Sequence, residues 1–312
     1  VNVLQNEWMP YRVSADEWGV RGGIESLLEV IDKNLPIEDL LMDKRAVRFS
    51  GFRLGRADFE LFVDRVCPDR LSYVNGNSPR THLGNNTYTS TEYSAKSSIC
   101  LHNELSYSSS YPTRLAFFCE RPSRTGGATP VADGSAFLAE LSSEILDCFS
   151  GGLRYTQNLH GGRGFGRSWQ ETYQTDSKKI VEEYLGSSGS EWEWAGEGIR
   201  VVTYRPSWIK DPRTGLDVWF NQADQWHPES LPLDTRKTLL DLLPADKWPL
   251  SVSLPDGADI PSEYIREILE TGWKLAKEEE WYSGDVLLVD NLLALHGRRP
   301  YEGDRRILVA MQ

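Results

Sequence analysis

The sequence predicts a mainly β fold with helical decoration, a double-stranded β-helix (jelly-roll, cupin-like) core, and three observations carry that expectation. Strand-like runs cluster over 99–132 and again over 284–311, separated internally by Ser, Pro and Gly clusters. Helical patterns arrive in separate blocks instead of alternating with strands, which argues against a wound βαβ architecture. No internal repeat or shift in composition divides the 312 residues, a length that one large core accommodates. A single domain over 1–312 is therefore expected, with a helical and loop insert at about 133–283 between two halves of a site.

Taken in order, Ile24, Leu27, Leu28 and Ile31 share one face of a helix over 23–34, a strand follows over 46–52, and a second helix over 57–66. Strands are expected over 99–102, 114–120 and 128–132. Asp133 is a candidate N-cap for a helix running to about 149, because Phe137, Leu138, Leu141 and Ile145 recur at helical spacing. Strands resume over 153–159, 199–204 and 217–220, and the glycine-rich stretches 161–166 and 186–189 read as mobile flaps. A late helix over 262–280 buries Ile265, Ile268, Leu269, Trp273 and Ala276, and strands over 284–290 and 306–311 complete the pattern.

Asp and Glu number 46 against 34 Lys and Arg, a net charge of -12, which repels a phosphate backbone and argues against a nucleic-acid partner. Cys67, Cys100, Cys119 and Cys148 form no C-x-x-C pair and three sit among apolar residues, so reduced core thiols are expected. No apolar run approaches the roughly 20 residues of a membrane helix and no export signal is evident, so a cytoplasmic address without a membrane partner is expected. Oligomeric state is not legible.

The chemistry begins with His102-Asn103-Glu104, two ligand-capable side chains at i and i+2, which point the same way in an extended strand. Alone this pattern is weak, since five His and 46 acidic residues give about 0.7 such matches by chance. A second match, His227-Pro228-Glu229, is read as a loop packed against the core, because proline removes a ladder donor. What distinguishes the first is its company: a Val-Leu-Leu-Val strand, then His296, then Arg305-Arg306-Ile307-Leu308-Val309. Two imidazoles and one carboxylate on one face of an octahedral ion leave the other positions open, as iron(II) oxygenases require.

With these residues in this order, the chain resembles the taurine dioxygenase and TfdA family of iron(II)/2-oxoglutarate oxygenases, nearest the syringomycin-type and clavaminate synthase-like members that use Glu in the triad. The resemblance runs from about Ser98 to the C-terminus and more loosely upstream. It implies that His102, Glu104 and His296 are the catalytic metal ligands and that Fe(II), 2-oxoglutarate and O2 are consumed. It implies that Arg306, ten residues beyond His296, grips the distal carboxylate of 2-oxoglutarate with help from Thr129. A guanidinium suits that task because its planar fork fits a carboxylate and keeps its charge. Arg305 is expected to face the surface. The plain alternative for Arg306 is a solvated strand-end arginine, which its spacing from His296 disfavours, whereas Thr129 is about equally a turn residue after two glycines.

Candidate substrate-facing residues are Arg80, the polar stretch 85–91 with Asn86 and Thr87, and Asn221, although polar loops are more often merely hydrated. Glu104 fills the position that halogenating relatives leave small, which disfavours halogenation. Taurine-type enzymes place a second arginine where this chain has Ala310, which disfavours taurine. The resemblance points to an amino-acid-like substrate, free or presented on a carrier protein in natural-product (antibiotic) biosynthesis, and to hydroxylation, with epoxidation, desaturation or cyclisation open to the same cofactors. Two other classes stay open from residues alone: a zinc hydrolase, disfavoured by the lack of a His-Glu-x-x-His helix, and a non-catalytic jelly-roll binding module.

Overall fold

The structure, a computed structural model, describes residues 8–312. Its main feature is a seven-stranded sheet ordered Tyr11–Ser14, Ala46–Ser50, Val286–Asp290, Arg114–Arg121, Arg306–Met311, Thr87–Thr89, His82–Gly84. Every pairing is antiparallel except that of the first two strands. Facing it is a smaller sheet, Ile99–His102, Ala294–Arg298 and Val131–Asp133, with the strand carrying His296 in the middle.

Period-two alternation sends the two sets of side chains of the large sheet into two different cores. Leu115, Phe117, Leu287, Val289, Ile307 and Val309 pack with Leu101, Val131 and Leu295 of the small sheet, so this core is the inside of the jelly roll. Ala116, Phe118, Val286, Leu288, Leu308 and Ala310 turn the other way, onto the Ile24–Asn34 and Arg56–Val66 helices through Leu27, Phe59, Phe62 and Val63. Burial on both faces is why these strands are almost continuously apolar. Beyond the small sheet, Glu191–Ala195, Gly198–Arg205, Leu153–Leu159 and Leu250–Ser253 form a four-stranded antiparallel sheet.

Most expected elements lie within a residue or two of the observed ones, and the departures have local causes. Asp133 does cap a helix, its Oδ1 accepting from the Ser135 and Ala136 amides while Oδ2 accepts from Arg45 Nε. That helix is not continuous to 149: Gly134–Glu140 and Ser143–Phe149 are separated by extended Leu141 and Ser142, whose amide is taken by Glu267. A serine pair favours a fresh start over a helix interior, and the apolar spacing survives because Phe137, Leu141, Ile145 and Phe149 are still buried. The expected 128–132 strand forms only at Val131–Asp133.

The 186–189 stretch is not a flap: Gly186, Ser187 and Ser188 end the Lys178–Ser188 helix and Gly189 closes it at φ 69. The late helix stops at Leu275, because Lys277 instead exchanges backbone bonds with Val131. All four cysteines are free thiols, Cys67 and Cys119 buried, Cys100 and Cys148 partly so. Among the described residues no helix is long and apolar enough to cross a membrane.

Candidate metal centre

His102 is the last residue of its strand and pairs across the small sheet with His296, so two strands distant in sequence set the imidazoles side by side, ring centroids 4.4 Å apart. Glu104 lies beyond the strand end, so strand parity alone does not aim it. The turn is held by Asn291, which is fully buried: its Oδ1 accepts from the Glu104 amide at 2.7 Å, and its Nδ2 donates to the carbonyls of Glu104 and Pro112. Asn103 returns the tie, donating from Nδ2 to the carbonyls of Asn291 and Ala294. The segments bearing His102 and His296 are thereby stitched together by amides that leave the His102, Glu104 and His296 side chains free.

One nitrogen or oxygen from each of His102, Glu104 and His296 lies within 4.8 Å of the others. Glu104 Oε2 is 3.9 Å from His102 Nε2 and 3.8 Å from His296 Nε2, too far for direct hydrogen bonds but suited to sharing an ion. His102 Nδ1 donates to the Cys100 carbonyl at 2.9 Å, so Nε2 is the ring nitrogen turned toward Glu104. Burial, reinforced by His102, holds the His296 imidazolium well below the usual histidine range, so that ring is neutral. Burial alone would raise the Glu104 carboxyl, but Arg80 and the two imidazoles outweigh it and hold it down to about 2. Two imidazoles and one carboxylate are the donor set that suits a divalent transition metal, so the residues present fit one.

Beside this cluster is a cavity lined by Arg80, Ser90, Thr91, Thr129, Phe117 and Arg305 together with the two histidines. Thr129 lines this cavity; its Oγ1 accepts from Trp281 Nε1 at 3.1 Å, so its own O–H remains free to donate. Arg80 also reaches the cavity, with Nη2 donating to Glu104 Oε2 at 2.5 Å.

The two arginines at the start of the last strand are exchanged relative to expectation. Arg306 faces outward, its side chain 43% exposed and ion-paired with Glu120 at 2.9 Å, while Arg305 lines the cavity. Residues of this strand that face the inner core are Ile307, Val309 and Met311, and Arg305 shares their parity, whereas Arg306 shares that of Leu308. Arg305 donates from Nε to the Gly127 carbonyl and from Nη1 to Ser90 Oγ, and among the described residues no carboxylate pairs with it. Burial, with Arg298 close by, pulls it down to about 10.

Three other candidates are structural. Asn85 and Asn86, at φ 48 and 53, form the left-handed tip of the hairpin joining His82–Gly84 to Thr87–Thr89, and Asn86 Nδ2 donates to the Arg70 carbonyl. Thr87 is 1% exposed and donates to Glu60, away from the cavity; of that polar stretch Ser90 and Thr91 line it. Asn221 is buried in a turn, bonded to the Ser207 carbonyl and the Ala223 amide. His227 caps the short Pro228–Ser230 helix through Nδ1, and Glu229 pairs with Arg236 and Arg266, so that second motif is not a metal site. Ala310 faces the outer core, and four residues beyond Arg305 stands Val309, so neither register supplies a second guanidinium there.

Comparison with known proteins follows the same lines. The dapdiamide synthesis protein DdaC of Enterobacter agglomerans is 34% identical over 279 residues, covering 88% of this chain and 84% of its own. A clavaminate synthase-like protein of Arabidopsis thaliana is 28% identical over 288 residues, covering 88% and 83%. Among solved structures, a Burkholderia xenovorans protein described as an alpha-ketoglutarate dependent 2,4-D dioxygenase shares the fold at 13% identity, with a TM-score of 0.51, 99% of this chain and 95% of that one covered. AAD-2 in complex with Mn(II) and N-oxalylglycine does so at 12% identity and 0.50, covering 88% and 84%. The family model for taurine catabolism dioxygenase TauD, TfdA family, matches residues 19–312, well upstream of the Ser98 where the sequence resemblance begins to be specific. The chain therefore belongs to the TauD/TfdA family and is an iron(II)/2-oxoglutarate-dependent dioxygenase.

Proposed function

We propose that His102, Glu104 and His296 hold the iron, that Arg305 and Thr129 hold the distal carboxylate of 2-oxoglutarate, and that the substrate is an amino acid or a derivative of one. The observation that carries this reading is the convergence of one donor atom from each of the three residues within 4.8 Å, beside a cavity whose Arg305 has no carboxylate partner among the described residues. Iron(II) with 2-oxoglutarate and O2 supplies the oxidising chemistry when bound. The chain contributes placement. Asn291 fixes the Glu104 turn, the Cys100 carbonyl fixes the His102 ring, and Trp281 orients the Thr129 hydroxyl so that it donates into the cavity. Phe117 and Ile99 close the lining with apolar surface that keeps water from the reacting face.

The choice of substrate rests on the relative named for dapdiamide synthesis and on the missing second guanidinium, which removes the sulfonate grip a taurine enzyme needs. A larger, mostly apolar cavity lined by Trp226, Leu231, Leu239, Leu250, Leu269 and Trp273 shares Ile99 with the metal cavity, giving room for a substrate longer than a free amino acid, such as one on a carrier protein. We take hydroxylation within natural-product biosynthesis as the reaction, carried out by one domain over 1–312 with the 133–283 segment as its insert; its first seven residues lie outside the described ones. Oxygen-dependent succinate formation from 2-oxoglutarate, raised by amino-acid substrates presented free or on a carrier, tests the reading. Full turnover in His102→Ala, Glu104→Ala and His296→Ala variants would refute the ligand assignment.

A further inference from the structure

Arg80 lies on an irregular segment, yet its side chain is only 4% exposed. Burying a guanidinium is costly unless its N–H groups find partners. Here Nη2 donates to Glu104 Oε2 at 2.5 Å and the group stacks over the Tyr73 ring at 4.5 Å, but Nε and Nη1 are buried with no hydrogen-bond acceptor among the described residues. Arg80 borders the cavity that the two imidazoles share.

Charge balance sharpens the point. Arg80, Arg298 and Arg305 all line that cavity, and among the described residues they make a single ion pair, Arg80 with Glu104. Arg298 is occupied by four backbone carbonyls, those of Thr91, Tyr93, Ser94 and Ser97. Iron(II) and doubly ionised 2-oxoglutarate cancel in charge, so loading both leaves the excess of positive charge in place. A Glu104 committed to the ion shares its charge with it, and Arg80 is left with Nη1 and Nη2 as a fork of the shape that fits a carboxylate.

We propose that Arg80 receives a carboxylate of the substrate and sets it beside the metal, so that the enzyme selects an anionic compound of the amino-acid class. This rests on the ligand assignment above. A role as mere counter-ion to Glu104 would leave the protein indifferent to a second carboxylate, and that difference is measurable.

The test uses protein loaded with Mn(II) and 2-oxoglutarate, with acetate as the probe and acetamide as its uncharged counterpart. Paramagnetic broadening of each methyl proton resonance reports binding near the ion without turnover. Acetate is expected to be broadened beyond acetamide in the wild type, and its apparent affinity to fall roughly tenfold or more in Arg80→Gln, with 2-oxoglutarate affinity unchanged. Arg80→Lys, which keeps the charge and loses the fork, should fall between them, and it decides the matter alone if the glutamine variant does not fold. Equal broadening of acetate and acetamide in the wild type overturns the proposal, as does an acetate response that survives in both variants. Loss of 2-oxoglutarate binding in Arg80→Gln also overturns it, by moving Arg80 to the cosubstrate. Failure of the wild type to bind Mn(II) is a separate result: it defeats the ligand assignment itself and this proposal with it.

Discussion

Adjacent arginines at the entry to the last strand, one lining the cavity and one on the surface, make a paired experiment. Arg305→Gln removes the charge from the cavity; Arg306→Gln removes one from the surface. A hydrogen bond to a charged partner contributes about 1.5–3 kcal/mol, and the Arg305 Nε is already engaged by the Gly127 carbonyl, so its terminal nitrogens are what a carboxylate would meet. Losing that fork should cost about 3 kcal/mol, close to a hundredfold in the Kd for 2-oxoglutarate. Arg306 pairs with Glu120 while 43% exposed, and its loss should cost under about 1 kcal/mol of stability and leave that Kd unchanged. The assay is anaerobic titration of 2-oxoglutarate into iron(II)-loaded protein, followed by the weak visible absorption the complex develops. Folding serves as a control in an informative direction. A partly buried guanidinium without a carboxylate, its pKa pulled to about 10, gains nothing from being charged before the cosubstrate arrives, so Arg305→Gln should melt no lower than wild type. A hundredfold loss in Arg306→Gln with none in Arg305→Gln would refute the exchange of roles.

Asn291→Ala strips three side-chain hydrogen bonds from the Glu104 turn and leaves a buried amide unpaired, so the melting temperature should fall by an amount equivalent to about 3 kcal/mol, with weaker Mn(II) binding measured by calorimetry. In metal-free protein the imidazole of His296 resists protonation that the unfolded chain accepts, so its contribution is intact above about pH 6.5 and is lost as pH falls below that value; urea titrations from pH 7 to 5 should show a decline that His296→Asn flattens. Trp281→Phe frees the Thr129 hydroxyl to rotate and should weaken 2-oxoglutarate binding only a few-fold, an effect absent when the change is made in a Thr129→Val background.

The fold was legible because both faces of its large sheet are buried, so strands such as Arg114–Arg121 and Arg306–Met311 announce themselves as apolar runs. His102 and His296 were findable for the same reason: each sits in or at the end of such a run. What local pattern could not settle was parity at strand ends. Counting from Ile307, Val309 and Met311 would have put Arg305 inside, but sequence does not say which face of a strand buried on both sides meets the metal. Asn86 and Thr87 were mistaken for substrate contacts although Asn85-Asn86 is itself a turn signal, and Asn221 because a buried asparagine that serves its own turn looks the same in sequence as one that serves a ligand. Asn291, whose amide holds the Glu104 turn, is not legible in the sequence, since nothing in Asp-Asn-Leu-Leu marks it.

Arg298 has a mechanical consequence. It sits two residues beyond His296, and its guanidinium clasps the carbonyls of Thr91, Tyr93, Ser94 and Ser97. The lip of chain that carries Thr91 into the cavity is thus riveted to the strand bearing His296, and lifting it would tear four bonds made by a buried charge. That wall behaves as a fixed doorpost beside the cavity.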